Sequence, residues 1–486
     1  MKHSKKPHVL LISTDQWPAN LTGCAGHPAV LTPTLDQMAA NGVRFANATS
    51  ECPVCVPARK TLMTGLHPLV HGQKTIAHRP FPQVKTMAQT FRDHGYQAYG
   101  VGKLHLENQR DRVGFDDVWV DEEGRGTEGI GQDDYELFLG DHGYAGQRFA
   151  GGMTNNDYVW RPWHLPERFH VTNWAAASMA RMIKRRDPAK PGFWDLSFSH
   201  PHPPLAPLQA YLDLYRDVEI PEPHVGDWAR MDEHTPLRMR ERIYQKIRYN
   251  AAQTREIRRA FYAQCTHIDH QIRVVLGTLR DEGLLKNTVI LFLSDHGDCL
   301  GNHQNWSKDQ MINDSCAVPM ILSGEPLADR TGCGAVSDRL VGLSDVFPTL
   351  CDAAGIPCPD HVTGMSMIGD SEREELNALW GYGAKATRMV RDKRYKLIYF
   401  PRGHQFLMFD LQKDPRECRN LAGDPAHAAE QARLEARLVA SLDAEDREAW
   451  VRDGTLRGLP AGETPGPTPT FNFSGQRGIH WPPPRV

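Results

Sequence analysis

The chain has 486 residues, of which 40% are apolar and 24% are charged, and its formal net charge is -3. This composition is typical of a water-soluble globular protein and excludes a fibre or a chain that is disordered throughout. Because 56 basic residues nearly balance 59 acidic ones, no global field attracts nucleic acid or an acidic membrane. We expect neither as a partner.

The apolar run at residues 8–14 is predicted to be the first strand, since it is too short for a secretory signal and lacks a small-residue cleavage site. No apolar stretch approaches the roughly 20 residues of a membrane-spanning helix. Ten scattered cysteines do not resemble a disulfide framework. We therefore expect a cytoplasmic protein whose cysteines are mostly reduced.

A second apolar run, at residues 289–294, shares one property with the first: each leads directly to an acidic residue. The first run ends at Asp15 and the second at Asp295. Such continuous runs indicate buried parallel strands, and ligands bind at the carboxyl ends of strands in open α/β sheets. The two carboxylates are therefore candidates for one site, although two unrelated helix caps are the alternative.

The elements between and after these strands suggest an α/β chain with a small second unit. Residues 106–190 have weak periodicity and are predicted to form mainly long loops over the site. Residues 257–285 carry one apolar helical face. Short strands at 395–399 and 407–411 indicate a small antiparallel sheet, and a helical stretch follows at 426–450.

The domain limits that we predict are 1–374 for a catalytic α/β domain, 375–454 for a small α+β subdomain and 455–486 for a Pro/Gly-rich tail. The tail contains Phe471, Phe473 and Trp481. It is either disordered or an extended arm that docks on the body or on a second protomer. The second alternative favours a homo-oligomer.

The most specific motif is Cys55-Val-Pro-Ala-Arg59-Lys-Thr-Leu-Met-Thr-Gly65. It resembles the type I sulfatase signature at each defining position: the cysteine, the proline two residues on, Arg59, and the Leu-x-Thr-Gly that follows. The resemblance implies that a maturation enzyme oxidises Cys55 to formylglycine and that Arg59 belongs to the catalytic site. A redox or zinc pair of Cys52 with Cys55 is the alternative, but no second Cys-x-x-Cys pair completes a zinc site.

Formylglycine explains how a sulfate ester, itself an anion, is attacked. Its hydrated aldehyde carries two hydroxyls, and a divalent cation lowers the pKa of one so that it becomes a nucleophile near neutral pH. The second hydroxyl then expels sulfate and restores the aldehyde. Serine has one hydroxyl and lacks this second step.

Two further segments resemble the metal-binding segments of the family. They are Asp15 after the first strand and Ser294-Asp295-His296-Gly297-Asp298 after the later one. The resemblance implies one cation held by Asp15, Asp295, His296 and the modified residue 55. Calcium is expected because oxygen ligands dominate, and manganese is the alternative because an imidazole is present.

Gln16 and His296 depart from the commonest sulfatase pattern and resemble the choline sulfatase and phosphonate monoester hydrolase branches. We place Gln16 in the substrate pocket, although its amide oxygen is also a possible metal ligand. Gly102-Lys103-Leu104-His105 resembles an element in which the lysine contacts sulfate and the histidine contacts the nucleophile. Phosphonate monoester hydrolases differ at this element, so it favours sulfate esters.

Three more residues complete the predicted site. Ser199-His200-Pro201-His202-Pro203-Pro204 resembles the segment whose histidine contacts the leaving oxygen, which assigns protonation of the alkoxide to His202. Lys308 matches a sulfate-binding lysine of the family, and His78 is a candidate for the pocket.

The resemblance implies an α/β fold of the alkaline phosphatase-like superfamily, with a large mixed sheet between helices and a smaller C-terminal antiparallel sheet. It implies hydrolysis of an organic sulfate monoester to an alcohol and inorganic sulfate. Two alternatives stay open: an enzyme with the same nucleophile that acts on phosphonate monoesters or phosphodiesters, and a catalytically silent metal-binding homologue. The alcohol, whether sugar, choline or aryl, is open as well.

Overall fold

A computed structural model describes residues 6–77, 79–106, 111–123, 133–153, 156, 158–245 and 249–466. His78 and the aromatic residues of the tail, Phe471, Phe473 and Trp481, lie outside these residues, so the predictions about them stay predictions. In the described ranges, no helix combines the length and the apolar character that crossing a membrane requires.

The large sheet contains the two strands that deliver acidic residues. Its order is β4-β3-β5-β1-β6-β7-β2-β8, and β7 runs antiparallel to both of its neighbours. The prediction of a large mixed sheet is confirmed. The strands are β1 (His8–Asp15), β2 (Gly42–Thr49), β3 (Gln97–Gly102), β4 (Asp117–Val120), β5 (Gly192–Pro201), β6 (Thr288–Ser294), β7 (Met320–Ser323) and β8 (Ala335–Gly342).

Both faces of this sheet are covered, which is why β1 is apolar throughout. Leu10 and Ile12 belong to one hydrophobic cluster, whereas Val9 and Leu11 point the other way into a second cluster. The helices are α1 (Pro33–Ala40), α2 (Cys55–Thr64), α3 (Pro68–His71), α4 (Met87–Asp93), α5 (Asp134–Asp141), α6 (Val171–Lys184), α7 (Gln209–Asp213), α8 (Leu237–Gln245), α9 (Ala251–Asp281), α10 (Asn313–Cys316), α11 (Ala328–Thr331), α12 (Val346–Ala354), α13 (Ala428–Ser441) and α14 (Ala444–Trp450).

Helix α9 is the long helix predicted at 257–285, but it begins earlier. The Asn250 side chain accepts from the Gln253 backbone N–H, and the Gln253 side chain accepts from the Asn250 backbone N–H. This capping box sets the first turn of the helix. The apolar face predicted for this helix, at Ile268, Ile272 and Leu279, is fully buried.

The prediction of mainly loops for residues 106–190 is wrong where β4, α5 and α6 lie. Helix α6 buries Ala175, Met179 and Ile183, which are spaced by four residues as on one helical face. The Trp, Gly and Asn content of the surrounding segment concealed this pattern. Trp174 is consequently a core residue of α6 rather than part of a covering loop.

The small sheet lies after the large one in the chain and is antiparallel, as predicted. Its order is β12-β11-β10-β9. The stretch predicted as one helix at 426–450 is two helices, because Asp443 caps α14 after α13 has ended. The predicted domain limits stay predictions. The remaining strands are β9 (Leu376–Trp380), β10 (Thr387–Arg391), β11 (Tyr395–Phe400), β12 (Gln405–Asp410), β13 (Val451–Arg452) and β14 (Thr455–Leu456).

Candidate active site and metal centre

One edge of the large sheet gathers most of the predicted site. Strands β4, β3, β5, β1 and β6 are parallel neighbours, so their carboxyl ends meet at this edge. The side chains that follow or end these five strands are Glu123, Lys103, His202, Asp15, and Asp295 with His296. The alternative that the two aspartates serve unrelated helix caps is therefore wrong.

Cys55 reaches this edge as the first residue of α2. Lys308 Nζ donates to its Sγ at 3.3 Å. An oxygen of Asp15, the Cys55 sulfur and a nitrogen of His296 lie within 4.8 Å of one another. Burial raises the pKa of the thiol, but Lys308, Lys103 and a hydrogen bond from His296 outweigh burial and lower it to about 6. The surroundings of residue 55 therefore favour an anion.

Cys52 does not act as a partner of Cys55. Its Sγ contacts the carbonyl oxygen of Lys74 at 3.8 Å, and burial raises its pKa. Both cysteines are free thiols. The redox or zinc alternative thus has no support in the described residues.

His296 gives the clearest sign that a cation belongs here. Its Nδ1 lies 3.0 Å from the Gly297 carbonyl oxygen and donates to it, so Nε2 is the ring atom that can bind a cation. That Nε2 lies 3.3 Å from Asp15 Oδ1 and 3.5 Å from Asp295 Oδ1. Burial lowers the pKa of this imidazole, but Asp295, Cys55 and Asp15 outweigh burial and raise it, so positive charge is favoured where the two carboxylates converge. A divalent cation would take the place of the proton on Nε2.

The polar atoms without a partner agree with this reading. Asp15 Oδ1 and Gln16 Oε1 are buried and have no hydrogen-bond partner in the part of the chain that the structure describes. Buried polar atoms are rarely left in this state. The residues present therefore fit a divalent cation with mostly oxygen ligands.

Lys103 supplies a second positive charge beside this centre. Its ammonium is fully buried and bonds Asp15 Oδ2 as well as Glu123 Oε1, the latter at 2.9 Å. Asp15, Glu123 and His202 form a second group with metal-ligand spacing. Because the ammonium already lies against two members of that group, the described site has room for one divalent cation rather than two.

The charge balance keeps Asp15 ionised. Burial raises the pKa of its carboxyl, but Lys103, His202 and Lys308 outweigh burial and hold that pKa well below its usual range. Asp15 is therefore an anion ready to bind metal.

Arg59 links several of the elements that form the site. It donates to Asp295 Oδ2 at 2.9 Å, to the Lys103 carbonyl oxygen at 2.6 Å and to Ser197 Oγ at 2.7 Å. These contacts tie α2 to the ends of β3, β5 and β6. Arg59 thus orients Asp295, a candidate metal ligand. Its predicted place in the catalytic site stays a prediction.

His202 lies close to Glu123, which also binds Lys103. Its Nδ1 donates to the Pro203 carbonyl oxygen at 2.6 Å, and Glu123 Oε1 lies 3.6 Å from the same nitrogen. Burial and Lys308 lower its pKa well below the usual range. His202 is therefore uncharged in the free site. To act as the leaving-group acid it must be cationic, and a bound anion is needed to favour that form.

The structure also gives the surroundings of two other predicted residues, His105 and Gln16. The His105 backbone N–H donates to Glu122 Oε1 at 2.7 Å, and its contact with the nucleophile stays a prediction. Gln16 lies in the centre rather than in an outer pocket, since its backbone N–H donates to Asp295 Oδ1 at 3.1 Å.

A cleft opens beside Glu123 and His202. Trp163 and His164 line it, whereas Trp160 and Trp174 pack on the core. Most of its other lining side chains are apolar or aromatic: Tyr135, Phe149, Met153, Pro162, Val171, Pro203 and Pro204. The cleft suits a flat, apolar group attached to the reacting ester.

Sequence reasoning missed Glu123, Tyr158 and the role of Asp298. Glu123 follows the strand Asp117–Val120, which is the same pattern that identified Asp15 and Asp295. The weak periodicity of this segment predicts a loop and conceals the pattern. Tyr158 carries no local signal.

Comparisons with known proteins agree with this geometry. The family described as Sulfatase matches residues 7–356, and the one described as N-sulphoglucosamine sulphohydrolase, C-terminal, matches residues 301–444. An arylsulfatase of Clostridium perfringens is 33% identical over 477 residues, covering 94% of this chain and 98% of the relative. A choline-sulfatase of Rhizobium meliloti is 29% identical over 479 residues, covering 93% and 90%.

Among solved structures, the phosphonate monoester hydrolase of Agrobacterium radiobacter superposes with a TM-score of 0.78, covering 93% of this chain and 99% of that one. At 22% identity this likeness shows the fold, which is alkaline phosphatase-like. The family match spans most of the chain. The chain therefore belongs to the sulfatase family and is a sulfuric ester hydrolase.

Proposed function

We propose that this sulfatase hydrolyses small organic sulfate monoesters with residue 55 in the formylglycine form and one divalent cation beside it. One observation carries the proposal: the Cys55 side chain lies against Lys308 and within 4.8 Å of both an Asp15 oxygen and a His296 nitrogen. Nucleophile, metal ligands and anion-binding charge thus share one buried point.

The cation would be held by Asp15, Asp295, His296, residue 55 and the amide oxygen of Gln16. Four oxygen-bearing side chains with a single imidazole support calcium, and manganese is the alternative. Once bound, the cation would lower the pKa of a hydroxyl on residue 55 and draw charge from the sulfate oxygens.

The remaining side chains have separate tasks. Lys103 and Lys308 would hold sulfate oxygens and stabilise the charge that develops there. His202 would protonate the leaving oxygen once the sulfate anion favours its cationic form. Glu123 would hold Lys103 and His202 in place, since it lies against both.

Maturation of Cys55 would precede folding. The residue is 2% exposed, so a formylglycine-generating enzyme has no access to it in the folded chain. This partner is therefore expected to bind residues 55–65 as an extended segment.

The alcohol that we propose is aromatic. The apolar cleft next to His202 supports an aryl group, and a 33% identical relative is described as an arylsulfatase. Arg161 lines the same cleft and disfavours a quaternary ammonium such as choline.

The test compares one purified preparation on an aryl sulfate, choline sulfate and an aryl phosphonate monoester, with Cys55→Ala as the inactive control. We expect the highest kcat/KM on the aryl sulfate, at least about tenfold above choline sulfate, which lacks the apolar group that the cleft accommodates. A higher value on the phosphonate would establish the alternative function. A preparation that is inactive on every ester would favour a silent homologue.

A further inference from the structure

Asp298 lies in the metal-binding segment but points away from the cation site. Its carboxylate is 1% exposed and each oxygen has two partners. Oδ2 accepts from Gln16 Nε2 at 2.6 Å and from the Tyr158 hydroxyl at 2.5 Å. Oδ1 accepts from the backbone N–H groups of Leu300 at 2.9 Å and Ser307 at 3.0 Å.

The Gln16 amide is fixed by this arrangement. Its Nε2 also donates to the Tyr158 oxygen at 3.0 Å, so both amide protons are used within a closed triangle of three side chains. With the nitrogen turned towards Asp298, the amide oxygen must point the opposite way. That oxygen is buried and has no donor among the described residues.

The backbone of Gln16 is held in an unfavourable conformation as well. Its φ is 75°, in the left-handed region that a non-glycine residue rarely adopts. Such strain persists only where several contacts determine it, and it is common at functional sites. The contacts that hold Gln16 here are its N–H bond to Asp295 and its amide bonds to Asp298 and Tyr158.

The other carboxylate oxygen of Asp298, Oδ1, binds the segment that carries Lys308. Ser307, whose N–H it accepts, immediately precedes Lys308. The ring of Trp306 packs on Tyr158 with 4.7 Å between ring centroids, which ties the same segment to the triangle a second time. One carboxylate thus fixes both Gln16 and the backbone that carries Lys308.

We propose that Asp298 and Tyr158 are positioning residues that aim the Gln16 carbonyl oxygen at the cation and set the place of Lys308 relative to it. The inference rests on the proposed function, because it requires a cation beside Asp15. It assigns roles to two side chains that touch neither the substrate nor the reacting atoms. Their effect should therefore appear first in cation affinity.

The test is calcium titration by calorimetry of chelator-stripped protein for the wild type, Tyr158→Phe and Asp298→Asn. Tyr96→Phe is the matched control, since its hydroxyl donates to the Pro7 carbonyl oxygen, away from the site. We expect the Kd for calcium to rise about threefold to tenfold in Tyr158→Phe, as for one lost hydrogen bond. We expect a rise of about 10- to 100-fold in Asp298→Asn, the usual range for a residue that orients a metal ligand.

A rescue variant covers the case in which Asp298→Asn is disturbed more widely. In Asp298→Asn combined with Gln16→Glu, the donor and the acceptor are exchanged, so the contact re-forms and calcium affinity should exceed that of Asp298→Asn and also that of Gln16→Glu alone, which controls for the added carboxylate. Unchanged affinity in both single variants, or no gain in the double variant, would overturn the inference. If instead the wild type binds no calcium or manganese, the proposed function itself fails.

Discussion

Asp15 and Asp295 leave the large sheet side by side, although 279 residues separate them. The backbone N–H of Asp295 donates to the carbonyl oxygen of Thr14 at 3.1 Å, which extends the parallel pairing of β1 and β6 to the sheet edge. The N–H of Gln16 then donates to Asp295 Oδ1. Two acids from distant parts of the chain are thereby fixed around one point, and His296 completes the group.

The first prediction concerns the number of cations. We expect one divalent cation per chain, because the Lys103 ammonium fills the neighbouring group of Asp15, Glu123 and His202. Elemental analysis of the purified protein measures this number. Two equivalents, with the second lost in Glu123→Gln, would show that Lys103 does not replace a second metal; loss on this substitution separates that position from the group of His224, His303 and Asp314, which also has metal-ligand spacing.

Removing the Lys103 ammonium should cost both activity and stability. Lys103→Ala removes the ammonium that lies between the buried carboxylates of Asp15 and Glu123, so the free energy of unfolding should fall by about 3–5 kcal/mol. Loss of a charge that stabilises the transition state should lower kcat by at least about 100-fold. Urea denaturation and steady-state kinetics measure these effects, with the exposed Lys393→Ala as the control. Wild-type kinetics in Lys103→Ala would exclude a role in sulfate binding.

A serine at residue 55 should separate the two chemical steps. Cys55→Ser has one hydroxyl, so it can accept the sulfuryl group but cannot expel sulfate as a diol does. We expect no multiple turnover and a stable adduct of one SO3 group on the peptide that contains residue 55. Cys55→Ala should form no adduct. Steady turnover by Cys55→Ser would show that the second hydroxyl is not needed.

Acid should destabilise the fold through buried imidazoles. Burial lowers the pKa of His67 and His200 to about 4 and that of His267 to about 3. Below pH 6.5 the unfolded chain therefore binds more protons than the folded one, and the free energy of unfolding falls as the pH falls towards 4. Each imidazole contributes at most about 1.4 kcal/mol per pH unit.

Denaturant unfolding at several pH values checks this slope. His267→Gln should reduce it by one imidazole's share, whereas His234→Gln should not, since the His234 side chain is 77% exposed. An unchanged slope in His267→Gln would show that this residue is protonated equally in both states.

The sequence predicted those parts of the site that follow buried strands or belong to a signature. Asp15 and Asp295 follow continuous apolar runs, and Cys55, Lys103, His202 and Lys308 lie in motifs with fixed spacing. Both kinds of signal are local. The large mixed sheet and the small antiparallel sheet followed from the same patterns.

The sequence did not predict contacts that depend on long-range packing. Tyr158 reaches Asp298 across 140 residues, and nothing near Tyr158 in the chain indicates such a partner. Glu123 was missed because Trp and Gly residues concealed a short strand before it. The uncharged state of His202 depends on burial and on Lys308, which only the folded chain brings together.

The most direct test is mass spectrometry of the peptide that contains residue 55, taken from active protein made in a host that has the maturation enzyme. The account predicts an aldehyde, lighter than the cysteine peptide by about 18 Da, in proportion to the activity of the preparation. Fully active protein whose peptide carries only the unmodified thiol would contradict it.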